Sequence, residues 1–238
     1  MTSLITPKIL AFDVFGTVVD FYGSIQREVE ALFPGINGGA FALAWRAGYQ
    51  PAMQRVRSGE LGWTRIDDLH RIILETILPQ FGLQDLSEAE RRHLNLVWHR
   101  LHSWPDSVEG MHKLRRKYSL CTLSNGNLSL LSDMAKRNGL PWDLILSAEN
   151  FHHYKPDPET YLGVAKVFDV KPEEVMLVAA HEDDLLSAAA CGLQTAYIHR
   201  PQEFGLDENA QPRKTVSAQL PFTWVANDFN HLAAQLGC

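Results

Sequence analysis

The sequence predicts an α/β protein, a doubly wound parallel sheet with an all-helical segment inserted after its first strand. Three observations carry that prediction. Apolar runs starting at Ile9, Ser119, Val175 and Thr195 each end at a turn signal, as strands buried on both faces do. From Trp104-Pro105-Asp106 onward, helical stretches alternate with those runs, the pattern of a parallel sheet covered on both sides. Between the first two runs, residues 20–102 read as helices alone. The expected partition is a core domain of residues 1–19 and 103–238 and a helical cap domain of residues 20–102.

The elements follow in order. The run from Ile9 ends in Asp13, and Gly16-Thr17 break the strand. Ser24 is placed to cap a helix running to Phe33, stopped by Pro34-Gly35. A second helix is expected from about Gly39 to Val56, with a break over Ser58 to Gly62. Trp63-Thr64 opens a third, in which Ile66, Leu69, Ile73, Leu74 and Ile77 recur at helical spacing. Ser87 with Glu90 is a capping-box pattern for a fourth, to about Leu101. In the core, a helix over 107–117 leads to the strand Ser119 to Leu123. The next helix, 127–138, stops at Asn138-Gly139. A short strand over Leu144 to Leu146, a helix from Glu159 to Phe168, the strand Val175 to Ala179, a helix to Gly192 and the strand Thr195 to Ile198 follow. Residues 200–220 read as a polar surface loop, before a last strand at Phe222 to Val225 and a helix to Leu236.

Composition bounds the function. At 238 residues the chain is near the upper limit for one hydrophobic core. A net charge of −6 argues against nucleic acid as a partner. No apolar run reaches membrane-spanning length, and the N-terminus lacks a secretory pattern. Cys121, Cys191 and Cys238 are sparse, odd in number and without metal-like spacing, which fits a reducing cytoplasm.

Polar groups follow the strands at Asp13, at Ser124-Asn125, near Lys155 and at His181 to Asp184. Each alone reads as a turn, a cap or a solvated charge. Parallel strands bring their carboxyl ends to one edge, where open α/β sheets bind ligands. Four such clusters on one edge point to a shared crevice under the helical insertion.

At these residues the sequence resembles the haloacid dehalogenase superfamily over essentially its whole length. Asp13, Ser124, Lys155 and Asp184 fill the four signature positions, and residues 20–102 resemble the inserted cap. The resemblance implies a Rossmann-like, HAD-like core. Phe15 points to the branch. Superfamily phosphatases carry a second Asp two residues after the nucleophile, as general acid for an alcohol leaving group. A halide leaves without a proton, and Asp13-Val14-Phe15-Gly16-Thr17 looks like the L-2-haloacid dehalogenase form.

That likeness implies an aspartyl-ester mechanism with no cofactor and no metal. Asp13 attacks C2 of a small L-2-haloacid such as chloroacetate or 2-chloropropionate, with fluoroacetate as a further candidate. Lys155 holds the carboxylate of Asp13, and Thr17 and Tyr161 support Asp13 and Lys155. Ser124 and the backbone N–H groups of Val14 and Phe15 bind the substrate carboxylate. Arg46, in Leu43-Ala44-Trp45-Arg46, and Asn125 receive the halide, with Trp63 near an aromatic that lines the family's halide site; a core Trp is the competing reading. Water then hydrolyses the ester with help from Asp184. His181 stands where the family has Asn, either as a hydrogen-bonding replacement or as a structural residue. The partner implied is a halogenated carboxylate, and many relatives form homodimers. The alternative is a phosphatase using Mg²⁺ on Asp13 and Glu182-Asp183-Asp184, and a third reading is a non-catalytic binding protein.

Overall fold

In the computed structural model, residues 5–205 and 222–238 are described. Strand β1 (Ile9–Phe12) is buried throughout. Its residues alternate between two cores: Leu10 and Phe12 face one side of the sheet, Ile9 and Ala11 the other. The chain then forms a two-residue strand, β2 (Val19–Asp20), and enters the helical segment.

Helix α1 (Phe21–Leu32) starts earlier than the spacing predicts. Asp20, not Ser24, is the cap, its carboxylate accepting the Gly23 N–H at 2.8 Å. Ser24 is buried inside α1, and its hydroxyl accepts the His102 N–H at 2.9 Å. The expected second helix is divided at Gly48 into α2 (Gly38–Ala47) and α3 (Tyr49–Arg57). Helices α4 (Ile66–Ile77) and α5 (Glu88–Asn95) follow, and the Ser87–Glu90 capping box forms as expected. A 3-10 turn over Leu96–Arg100 replaces the last turn expected of α5. The chain returns as β3 (His102–Ser103), antiparallel to β2, so the helical segment leaves and rejoins through one short ribbon.

Helix α6 (Ser107–Arg115), strand β4 (Ser119–Thr122), helix α7 (Leu128–Asn138), the short α8 (Ala148–Phe151) and α9 (Pro158–Val167) come next. They lead to β5 (Val175–Ala179), α10 (Glu182–Ala190), β6 (Gln194–Ile198), β7 (Trp224–Ala226) and α11 (Phe229–Gln235). The five-stranded sheet has the order β4-β1-β5-β6-β7 and every pairing is parallel. The chain leaves β1 for β4 on one side and crosses to β5 on the other, so β1 stands at the switch point where such sheets bind ligands.

Two expectations change. Leu144 to Leu146 makes only one isolated bridge beside β4, Leu144 with Cys121, because Thr122 Oγ1 donates to Leu146 O (2.6 Å) and accepts its N–H (2.9 Å) in place of a ladder. The stretch from residue 200 is not surface where it begins. Arg200 is buried, its guanidinium paired with both oxygens of Asp106 at 2.7 and 2.9 Å and its Nε donating to Thr17 O. The rest of that expected loop, residues 206–220, lies outside the described residues.

The core on the Phe12 side of the sheet runs without interruption into the helical segment through Trp45, Trp98 and Phe41. Polar clamps reinforce this contact. Asp67 of α4 accepts from Asn127 Nδ2 at 2.9 Å, and His99 sits between Asp67 and Asp133 of α7. His99 is thereby held at the contact between the two, its side chain mostly buried. None of the described helices is long and apolar enough to cross a membrane.

Candidate active site

A cavity of about 330 Å³ lies between the carboxyl ends of β1, β4 and β5 and helices α2 and α3. Asp13 is the first residue past β1, where its N–H still donates to Val178 O. Gly16, at φ +83°, turns the chain so that Thr17 comes back beneath Asp13. Thr17 Oγ1 donates to Asp13 Oδ2 at 2.7 Å and accepts the Ala180 N–H at 2.9 Å, tying the end of β5 to the end of β1.

Lys155 arrives from the loop between α8 and α9. Its Nζ lies 2.9 Å from Asp13 Oδ1 and 2.5 Å from Asp184 Oδ2, with all three side chains nearly buried. Tyr161 of α9 donates its hydroxyl to Asp184 Oδ1 at 2.7 Å. His181 presents Nδ1 to Asp13 Oδ2 at 3.1 Å and Nε2 to Glu203 Oε1 at 2.7 Å.

These contacts set the charges. Burial alone would raise the Asp13 pKa, but Lys155 and His181 hold it well below the usual carboxylate range. Burial would lower that of Lys155, and the two carboxylates push it up instead. Burial, opposed by Lys155 and reinforced by the charge of Asp13, raises that of Asp184. Burial would also lower that of His181, but Glu203 and Asp13 bring it up to about 10. The arrangement is an ionised carboxylate beside a weaker acid suited to take up a proton.

The wall facing the helical segment has a different character. Phe15 lines the cavity and packs edge-on against Trp98, Tyr49 and His70. Arg46, in the last turn of α2, lays its guanidinium over the Tyr49 ring at 4.4 Å. Its Nε is buried and donates to no described acceptor. A cation with an unused donor above an apolar floor is suited to an anion. Burial pushes the Tyr49 hydroxyl up to about 12 and the His70 imidazole down to about 3, so both are neutral here.

The comparisons with known proteins fit this geometry. A model of the haloacid dehalogenase-like hydrolase family matches residues 7–192. The chain belongs to this family. Among relatives, (S)-2-haloacid dehalogenase 1 of Pseudomonas sp. (strain CBS-3) is 29% identical over 207 residues, covering 81% of this chain and 86% of its own. The crystal structure of the L-2-haloacid dehalogenase PA0810 is similar with a TM-score of 0.89 at 44% identity, covering 98% of this chain and 100% of that one. That of the defluorinating L-2-haloacid dehalogenase Rha0230 gives a TM-score of 0.89 at 40% identity, covering 98% and 96%.

Measured against the family pattern, the structure brings together Asp13, Thr17, Lys155, Tyr161, His181 and Asp184. Tyr161 reaches Asp184 and not Lys155 directly. Arg46, Asn125 and Phe15 line the cavity with them. Asn125 Oδ1 accepts the Lys155 N–H at 2.8 Å, while its Nδ2 faces Met53 Sδ at 3.2 Å.

Three expected residues stand back. Trp63 does not line the cavity. It packs on Tyr154 and His152 with ring centroids at 4.9 and 5.4 Å, because the Tyr154 hydroxyl donates to Thr64 O and pins that loop to the core. Ser124 is fully buried outside the lining, its Oγ accepting the Gly126 N–H. The Val14 side chain is buried in the core, but neither its N–H nor that of Phe15 donates to a described acceptor. Of the acidic run, Glu182 is exposed and outside the lining, and Asp184 alone reaches Lys155. Among the described residues, no group of three or more His, Cys, Asp or Glu is arranged to hold a metal.

Sequence reasoning missed Tyr49, His70 and Glu203. Tyr49 was within reach of it, since it lies three residues after Arg46 on a predicted helix. His70 and Glu203 carry no local signal, and their burial is decided by contacts distant in sequence.

Proposed function

We infer that the chain is a hydrolytic (S)-2-haloacid dehalogenase, releasing halide from C2 of a small haloacid to give the inverted 2-hydroxy acid. The observation that carries this reading is Phe15. It occupies the wall where an alcohol leaving group would need an acid, and it sits among Trp98, Tyr49 and His70, the two titratable ones held neutral. That wall carries the Arg46 guanidinium, laid over Tyr49.

In the proposed mechanism, Asp13 attacks C2 in line, and the halide leaves with the bonding pair toward Arg46 and Asn125. The donors Val14 N–H and Phe15 N–H hold the substrate carboxylate, with Ser124 behind them. Lys155 keeps Asp13 ionised before attack. Water then adds to Cγ of the ester while Asp184, with its raised pKa, takes the proton. Collapse returns Asp13 and releases the hydroxy acid, so one difficult substitution becomes two easier steps. The helical segment 20–102 acts as the cap over a core of 1–19 and 103–238, supplying the halide side of the pocket. The reading extends to a cytoplasmic location, for which the free cysteines speak, and to a homodimer, for which size-exclusion chromatography with light scattering is the check.

A paired assay tests the function. One arm follows halide release from chloroacetate, fluoroacetate and both enantiomers of 2-chloropropionate. The other follows phosphate release from p-nitrophenyl phosphate with Mg²⁺. Halide release from chloroacetate and from the (S) but not the (R) enantiomer of 2-chloropropionate is the expected result, and activity confined to the phosphate arm would overturn it.

A further inference from the structure

Glu203 is the one fully buried carboxylate in the described chain, and it points into the reaction centre from a segment outside every expected site. Its backbone is fixed by a turn, Glu203 N–H to Arg200 O at 3.2 Å, and Arg200 in turn clamps Asp106 and Thr17 O. Its side chain lies against Gly16. A Cβ added there would come within 2.3 Å of Glu203 Oε1. The turn that places Asp13 is thus shaped to admit this carboxylate, and His181 lies between the two.

A carboxylate only accepts hydrogen bonds. His181 Nε2 meets Glu203 at 2.7 Å and Nδ1 meets Asp13 at 3.1 Å. Both ring nitrogens therefore carry hydrogen, and the ring is an imidazolium. Asp13 Oδ2 then receives two donors, Thr17 Oγ1 and His181 Nδ1, while Oδ1 faces Lys155 alone.

We propose that Glu203 is a positioning residue that fixes His181 as a double donor, and that His181 with Thr17 forms the oxyanion site for hydrolysis of the aspartyl ester. This rests on the dehalogenase reading above. Asp13 Oδ1 forms the bond to C2, and Oδ2 becomes the ester carbonyl. When water adds to Cγ, its proton passes to Asp184 and the carbonyl pair moves onto Oδ2, which Thr17 and His181 stabilise. On collapse the C2 alkoxide departs with that proton, the second water proton leaves the new Asp13 carboxyl by way of Asp184 to solvent, and Asp13 regains its charge with one oxygen from water. His181 donates throughout and transfers no proton. The pair thus serves the second step more than the first. The high pKa of His181 agrees with this state.

The test uses the full chain with (S)-2-chloropropionate, rapid quench and intact-protein mass measurement. Glu203→Gln removes the anion and keeps the shape. The variant is expected to release a stoichiometric burst of chloride, accumulate ester on Asp13, and turn over about 10²–10³-fold more slowly, the scale of losing one oxyanion donor. His181→Asn is expected to show the same burst, and it reads the proposal if the first variant fails to fold. Equal slowing of chloride release and ester hydrolysis, or no change in either, would overturn it. A second measurement needs no variant. Histidine ¹⁵N spectra of the wild type at about pH 8.5, above the ordinary histidine range, are expected to show both His181 nitrogens protonated; one bare nitrogen would refute the double donor. If the wild type releases no halide from any haloacid, the catalytic role falls with the function, and the spectra alone then decide the Glu203–His181 pairing.

Discussion

Asp13 has three positively charged or hydroxyl donors on its two oxygens, and they hold its carboxyl well below the usual carboxylate range, the ionised state that the proposed attack requires. Asp13→Asn is expected to lower kcat by about 10⁴-fold or more, as losses of other catalytic nucleophiles do; steady-state halide release measures it. Two groups should shape the pH profile. The pKa of Asp184 is raised, so its protonated form appears first as pH falls and sets the acid limb. That of His181 is raised to about 10, so the imidazolium persists below that value and the alkaline limb falls near it. A kcat profile from pH-stat titration checks both; an alkaline limb near the ordinary histidine value of about 6.5 would contradict the second. Arg46→Lys keeps the charge but loses the planar stack on Tyr49. It is expected to cut kcat by about 10²-fold, the scale of one lost electrostatic donor, with a smaller change in KM. At this scale the sequence was legible where a residue follows a strand end. Asp13 and Asp184 could be found that way, and Lys155 by its match to the family's loop lysine. Glu203 could not, because its burial is imposed by the Arg200–Asp106 clamp, and no local pattern announces that pairing.

Among the elements, the contact between helical segment and core is reinforced by His99, which bridges Asp67 and Asp133 at 3.1 and 2.8 Å. Burial would lower its pKa, but the two aspartates raise it. A histidine with a raised folded value contributes stability that is complete below its unfolded value of about 6.5 and is lost as pH rises through the folded value. His99→Gln is therefore expected to cost about 1.5–3 kcal/mol near pH 6, the range for charged hydrogen bonds, and less at high pH; thermal melts of both proteins across pH read the closing gap. Elsewhere, α6 crosses α11 at Gly110, where an added Cβ would meet Phe229 Cβ at 2.4 Å and its carbonyl carbon at 2.8 Å. Gly110→Ala is expected to destabilise by about 1–3 kcal/mol, the scale of overpacking, as denaturant unfolding would show. Helix periodicity gave the helices of the segment from sequence, and hydrophobic runs gave four of the five sheet strands closely. The failures were local substitutions of one hydrogen-bond partner for another. Asp20 replaced Ser24 as cap, and Thr122 took the backbone partners that a strand over Leu144 to Leu146 required.

For the whole molecule, the sheet order puts β1 at the switch point, and the short β2–β3 ribbon sends the helices back over it. One wall of the resulting cavity is ionic and belongs to the strand ends; the other is aromatic, with Arg46, and belongs largely to the inserted helices. In the proposed mechanism, the nucleophile on the first wall and the anion receiver on the second describe a displacement in which the leaving group departs away from the attacking carboxylate. The strand-end half of this plan was readable in the sequence, since parallel strands share an edge. The aromatic half was not, because it depends on which faces of α3, α4 and the turn after α5 meet Phe15. The central claim is that Asp13 becomes covalently bonded to the substrate and is freed by water. A single turnover of (S)-2-chloropropionate by excess enzyme in ¹⁸O-water tests it most directly. Label is expected in the carboxylate of the Asp13 peptide and absent from the first product; label in the product with an unlabelled Asp13 would contradict it.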